Sequence, residues 1–81
     1  MPTVMIVKGY RFAFFSADIG EPPHLHITKG GAECKVWLGS LQIARNRGFR
    51  EHELKEIADL IRQHHTQIMQ AWYERSGNPG R

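Results

Sequence analysis

Eighty-one residues, 41% apolar and 23% charged, specify one small globular domain whose marginal core gains from a partner or a second copy. The formal charge of +3 is compatible with a nucleic-acid partner without demanding one, and a single cysteine, Cys34, excludes an intrachain disulfide. No apolar run approaches a bilayer span and the Met1-Pro2-Thr3 start has no leader character, so a cytoplasmic bacterial protein with no membrane partner is expected.

Thr3 to Val7 is β-branched and apolar and reads as a first strand, turned at Lys8-Gly9 into a phenylalanine-rich second strand, Tyr10 to Ser16. Asp18 to Pro23, with a glycine and two prolines, is an irregular loop. His24 to Thr28 is a third strand, Lys29-Gly30-Gly31 a turn and Ala32 to Leu38 a fourth strand. Gly39-Ser40 turns the chain into a short fifth strand, Leu41 to Ala44. Short turns between neighbours imply antiparallel pairing, so this half is a meander.

From Glu51 the apolar period becomes helical. With Leu54 at zero degrees, Ile57, Ala58, Ile61, His65, Ile68 and Trp72 fall within about 60° of it. Glu51 and Glu53 suit the helix N-terminus, Arg75 suits the C-terminus, and Gly77 and Pro79 provide the stop. Arg50, in the N-cap place, is a poor capping side chain. Unbroken, this helix would be about 37 Å long against a sheet about 24 Å across. Two outcomes are open: an overhanging end carrying Met69, Trp72 and Tyr73, which a second copy or a partner would cover, or a break near His64-His65-Thr66 that folds the last turns back. The expected fold is therefore α+β in a single domain, residues 1–81. An antiparallel meander of four to five strands occupies 3–45, one long C-terminal helix packs across one face over 50–76, and 77–81 form a tail.

Pro22-Pro23-His24-Leu25-His26 holds the most informative residues. Alternation places His24 and His26 on one face, their Cα atoms about 7 Å apart, and turns Leu25 and Ile27 to the core. The same rule sends Cys34, Val36 and Leu38 inward. The non-core face then gathers His24, His26, Glu33, Lys35 and Trp37, with the imidazoles in solvent.

Three chemistries fit this face. In metal-independent RNA cleavage one histidine would take the 2′-hydroxyl proton and the other would protonate the leaving oxygen. Lys35, Arg11 or Arg47 would stabilise the phosphate charge, and Trp37 or Tyr10 would stack a base. As a zinc site, His24 and His26 would be joined by Glu33, with Cys34 on the wrong face unless a bulge turns it. As an interface, the histidines would shape the neighbouring loop and Trp37 would anchor a partner. His65 lies in the apolar stripe and reads as a satisfied core residue, His64 sits at its edge, and His52 is solvated. Arg45, Arg47 and Arg50 lead into the helix start, where exposed N–H groups could bind an anion, although a solvated connecting loop is the favoured reading.

The stretches Met1-Pro2-Thr3, Gly9-Tyr10-Arg11-Phe12, Glu21-Pro22-Pro23-His24-Leu25-His26, Lys35-Val36-Trp37-Leu38 and Asn46-Arg47-Gly48-Phe49, with the late Trp72, occur here in an order that resembles the small bacterial proteins of domain-of-unknown-function family 4160. The resemblance implies a cytoplasmic protein often encoded beside another small protein, in an arrangement like a toxin–antitoxin pair. It carries over Tyr10, Arg11, His24, His26, Lys35 and Arg47 as candidates by motif position. The expected function is an interaction component of such a two-gene module, binding a protein partner or RNA through the His24/His26 surface and using no cofactor. A metal-independent ribonuclease and a zinc-binding module are the alternatives.

Overall fold

The computed structural model describes residues 3–14 and 22–76. Five strands run in the order β1(Thr3–Val7), β2(Tyr10–Ala13), β3(His24–Lys29), β4(Ala32–Trp37) and β5(Ile43–Arg47), each antiparallel to its sequence neighbour. Two helices follow, α1(Glu51–Gln63) and α2(His65–Ser76). This is the expected α+β meander, with its helical segment in two pieces.

The β1–β2 turn needs two left-handed residues, and Lys8 (φ 53°) and Gly9 (φ 83°) supply them. The β4–β5 connection is wider than Gly39-Ser40 alone would make it. The Leu41 amide donates to the Trp37 carbonyl (2.7 Å) and Leu41 adopts φ 61°, which delays β5 to Ile43 and carries it on through Arg47. The expected end of β2 at Phe15-Ser16, most of the Asp18 to Pro23 loop, and the Gly77 and Pro79 stop lie outside the described residues.

Phe12, Leu25, Ile27, Cys34 and Val36 turn one face of the sheet into the core, against Ile57, Leu60 and Ile61 of α1 and Ile68 of α2. Helix α1 begins where expected. Arg50 offers no acceptor, but its own amide donates to the Glu53 carboxylate (2.8 Å), the half of a capping box that needs no serine. Asn46 clips the approach by accepting from the Phe49 amide (3.2 Å) and donating to the Phe49 carbonyl (3.0 Å).

The helix breaks at His64 (φ −114°, ψ 20°). Of the two outcomes open in the sequence, the burial of Trp72 excludes the overhang. Trp72 does not overhang: it is buried, 5.2 Å from Phe14 and 5.4 Å from His24 between ring centroids. The predicted stripe is corrected as well, in α1 because its buried face is centred on Ile57, Leu60 and Ile61, and beyond it by the change of phase at His64. Leu60 enters the core, Leu54 and Ala58 are only half-buried, and His65 is exposed, its Nε2 3.4 Å from the Leu38 carbonyl.

Candidate functional site

Registers across the sheet define the face opposite the core. One row runs Ile6, Arg11, Thr28, Glu33, Arg47; the next runs Ala13, His26, Lys35, Arg45; a third pairs His24 with Trp37. Directly paired residues in antiparallel strands share a face. The predicted grouping of His24, His26, Glu33, Lys35 and Trp37 therefore holds, with Arg11 and Arg47 beside it.

The predicted exposure of the histidines does not hold. His24 is 0% exposed and His26 6%. Alternation tells which side of a sheet a residue takes, not whether that side is open. β3 is the central strand, flanked by β2 and β4, and all four residues from His24 to Ile27 are buried. The rings lie 5.3 Å apart, together as expected, with Trp37 and Trp72 each 5.4 Å from His24. The Pro22 carbonyl lies 2.8 Å from His24 Nδ1 and can only accept, so that nitrogen carries a proton.

Glu33, the expected third zinc ligand, stands opposite Thr28, one row away from His26, and Arg47 Nη2 donates to its carboxylate at 2.6 Å. Among the described residues no group of three His, Cys, Asp or Glu side chains is placed to hold a metal. Cys34 is on the core face, as alternation required, and burial pushes its thiol up to about 11.

Tyr10 leaves the predicted set altogether. It is on the core face, 1% exposed, its hydroxyl donating to Glu56 Oε1 (2.8 Å) and its ring 4.5 Å beneath Lys29 Nζ. It cannot stack a base. Burial first, then the bond to Glu56 and its charge, raise its phenol to about 12. The same bond is the main reason that the Glu56 carboxyl is held below its ordinary value.

This buried phenol has a pH signature. The unfolded chain ionises tyrosine near pH 10 and the folded one only near 12, so the phenol's contribution to stability is complete below 10 and drains away between the two values. The Cys34 thiol, raised from 9.0 to about 11, loses its own share with or without Tyr10, so the phenol is read in a Cys34→Ala background. There we expect a loss of about 2 kcal/mol between pH 10 and 12 in urea unfolding, largely abolished by adding Tyr10→Phe. Parallel curves for the two proteins would exclude the effect.

One residue escaped the sequence reading. Arg45 was placed in the connection to the helix, because β5 was expected to end at Ala44. With β5 at Ile43–Arg47, Arg45 pairs directly with Lys35, and Arg45 and Arg47, two apart, project from one face. The only available signal was the alternation of arginine in Arg45-Asn46-Arg47. Lys35 Nζ also lies 4.7 Å over the half-buried ring of Trp37, joining the cation to the aromatic.

A family model described as "Domain of unknown function (DUF4160)" matches residues 9–73, from the β1–β2 turn to the last turns of α2. The chain belongs to this family. The DUF4160 match contains every outer-face residue from Arg11 to Arg47, and it includes both histidines and Trp72. No curated protein and no solved structure matches the chain.

Proposed function

We propose that this DUF4160 protein works by binding rather than by chemistry, as the RNA-binding component of a two-gene, toxin–antitoxin-like module, and that it holds single-stranded RNA on the outer face of its sheet. The family resemblance supplies the setting. The charge arrangement carries the surface: among the described residues this face holds Arg11, Lys35, Arg45 and Arg47 against one carboxylate, Glu33. The rest of the sequence has seven Lys and Arg against seven Asp and Glu, so these five residues account for the whole formal excess of +3. A basic sheet face suits a phosphate backbone, and the Trp37 edge offers a surface for an unpaired base.

Burial of His24 and His26 weighs against the nuclease alternative, since a proton-transfer pair must come within hydrogen-bond reach of its substrate. A protein partner is the second reading. It is favoured by a mostly apolar groove of about 390 Å³ lined by Pro22, Pro23, Trp37, Leu38 and Met69, which fits an inserted apolar side chain.

The test is fluorescence anisotropy with a short single-stranded RNA. Contact with four phosphates gives log K falling against log salt with a slope of about −3, and Arg11→Ala or Arg45→Ala should each remove about 0.7 of that slope. The RNA should emerge uncut. Absence of binding at about 50 mM salt, or affinity indifferent to both substitutions, sinks the proposal. A stable complex with the neighbouring gene product in its place supports the second reading.

A further inference from the structure

A sheet of five strands has two open edges, and here they are built differently. β5 is fully exposed and carries Arg45 and Arg47, charges that discourage another strand from pairing with it. β1, Thr-Val-Met-Ile-Val, has no charge and no proline. Among the described residues two large hydrophobic side chains are left in solvent, and Ile6, at 67%, is the more exposed.

The β1–β2 turn fixes which backbone groups of β1 are unused. A two-residue turn at Lys8-Gly9 makes Val7 and Tyr10 the hydrogen-bonded pair that closes it. Pairs alternate, so Ile6 and Arg11 form a non-hydrogen-bonded pair, and the Ile6 N–H and C=O point away from β2 into the open edge. The bulge between Thr3 and Met5 lies at the far end, leaving Met5, Ile6 and Val7 regular.

We propose that β1 pairs antiparallel with β1 of a second copy about a two-fold axis through Ile6, so that the two Ile6 residues exchange both N–H···O=C bonds and the two sheets become one of ten strands. The register follows: Met5 stands opposite Val7 of the other copy, and Ile6 opposite Ile6. Neutrality argues for a second copy as occupant. A strand without charge meets itself without repulsion, whereas self-pairing at β5 would gather four arginines. The two exposed isoleucines then cover one another. Ile6 shares its row with Arg11, so the basic faces of the two copies run into each other; the dimer itself stands whether or not RNA binds there.

Light scattering on the full chain at about 100 μM should return twice the 9.3 kDa protomer mass. Ile6→Pro removes only an outward N–H, so it should give the monomer mass with an unchanged far-UV spectrum. Ile6→Lys, which adds a guard charge, should do the same and decides the matter if the proline variant does not fold. Arg45→Ala at the other edge should leave the dimer intact. A wild-type monomer at about 1 mM, or a dimer that survives both Ile6 substitutions, overturns the proposal.

Discussion

Gly48→Ala is expected to destabilise the protein by about 3 kcal/mol, a fall of roughly 15 °C in Tm for a domain of this size. Two independent effects add at this position. Gly48 has φ +102°, a backbone region that residues with a side chain rarely occupy. An added Cβ would also stand 3.0 Å from Ala32 Cβ and 3.2 Å from Ala32 Cα, so the strand itself must give way. Gly30 is the internal control: its φ is +60°, nothing lies within 4 Å of an added Cβ, and Gly30→Ala should cost only about 1 kcal/mol. Ala32→Gly in the Gly48→Ala background removes only the Cβ contact, so it should recover part of the steric cost and leave the 3.2 Å approach to the residue-32 Cα and the backbone part. The consequence reaches the basic face, because Gly48 joins β5 to the buried Phe49, whose ring lies 5.9 Å from Tyr10. Pushing β4 and β5 apart displaces Arg45 and Arg47. Thermal denaturation that finds Gly48→Ala no worse than Gly30→Ala refutes the steric argument.

Local rules placed β1, the start of β2 and the Glu51 helix start, because each rests on neighbours a few residues apart. Period-2 alternation also put Leu25, Ile27, Cys34 and Val36 on one face and the histidines, Lys35 and Trp37 on the other. What failed depended on residues far along the chain. The burial of His24 comes partly from Trp72, 48 positions later, through a helix break that no glycine or proline announces. Leu60 was left out because the buried face of α1 is centred on Ile57, Leu60 and Ile61 rather than on Leu54, and the broken phase at His64 then turns His65 out of the stripe. Tyr10 is the exception, a failure of local reasoning: its neighbour Arg11 is a plausible anion ligand, but two adjacent strand residues cannot share a face. Arg45 was missed because Leu41 takes a left-handed conformation, uncommon for a branched side chain, and moves the start of β5 by two residues.

Trp72→Ala is expected to cost about 3 to 5 kcal/mol, against roughly 4 to 12 kcal/mol of total stability for a domain of this length. Its indole is 7% exposed and meets Phe14 edge-on, at 83° between ring planes, while also touching His24. It thus joins α2 to the end of the sheet where β3 begins. The measurement separates two pictures of the C-terminal half. On a helix that overhangs its sheet, a solvent-facing tryptophan could be removed at a cost within about 0.5 kcal/mol. Packed against Phe14 and His24, the same residue is part of the core. Trp72→Phe keeps an aromatic edge for Phe14 and should recover most of the loss, leaving about 1 kcal/mol for the missing ring. Removing the indole also uncovers one side of His24, so chemical modification of that imidazole should be faster in Trp72→Ala than in wild type under native conditions. A Trp72→Ala protein of wild-type stability, with His24 as protected as before, would show that the helix end does not seal the sheet.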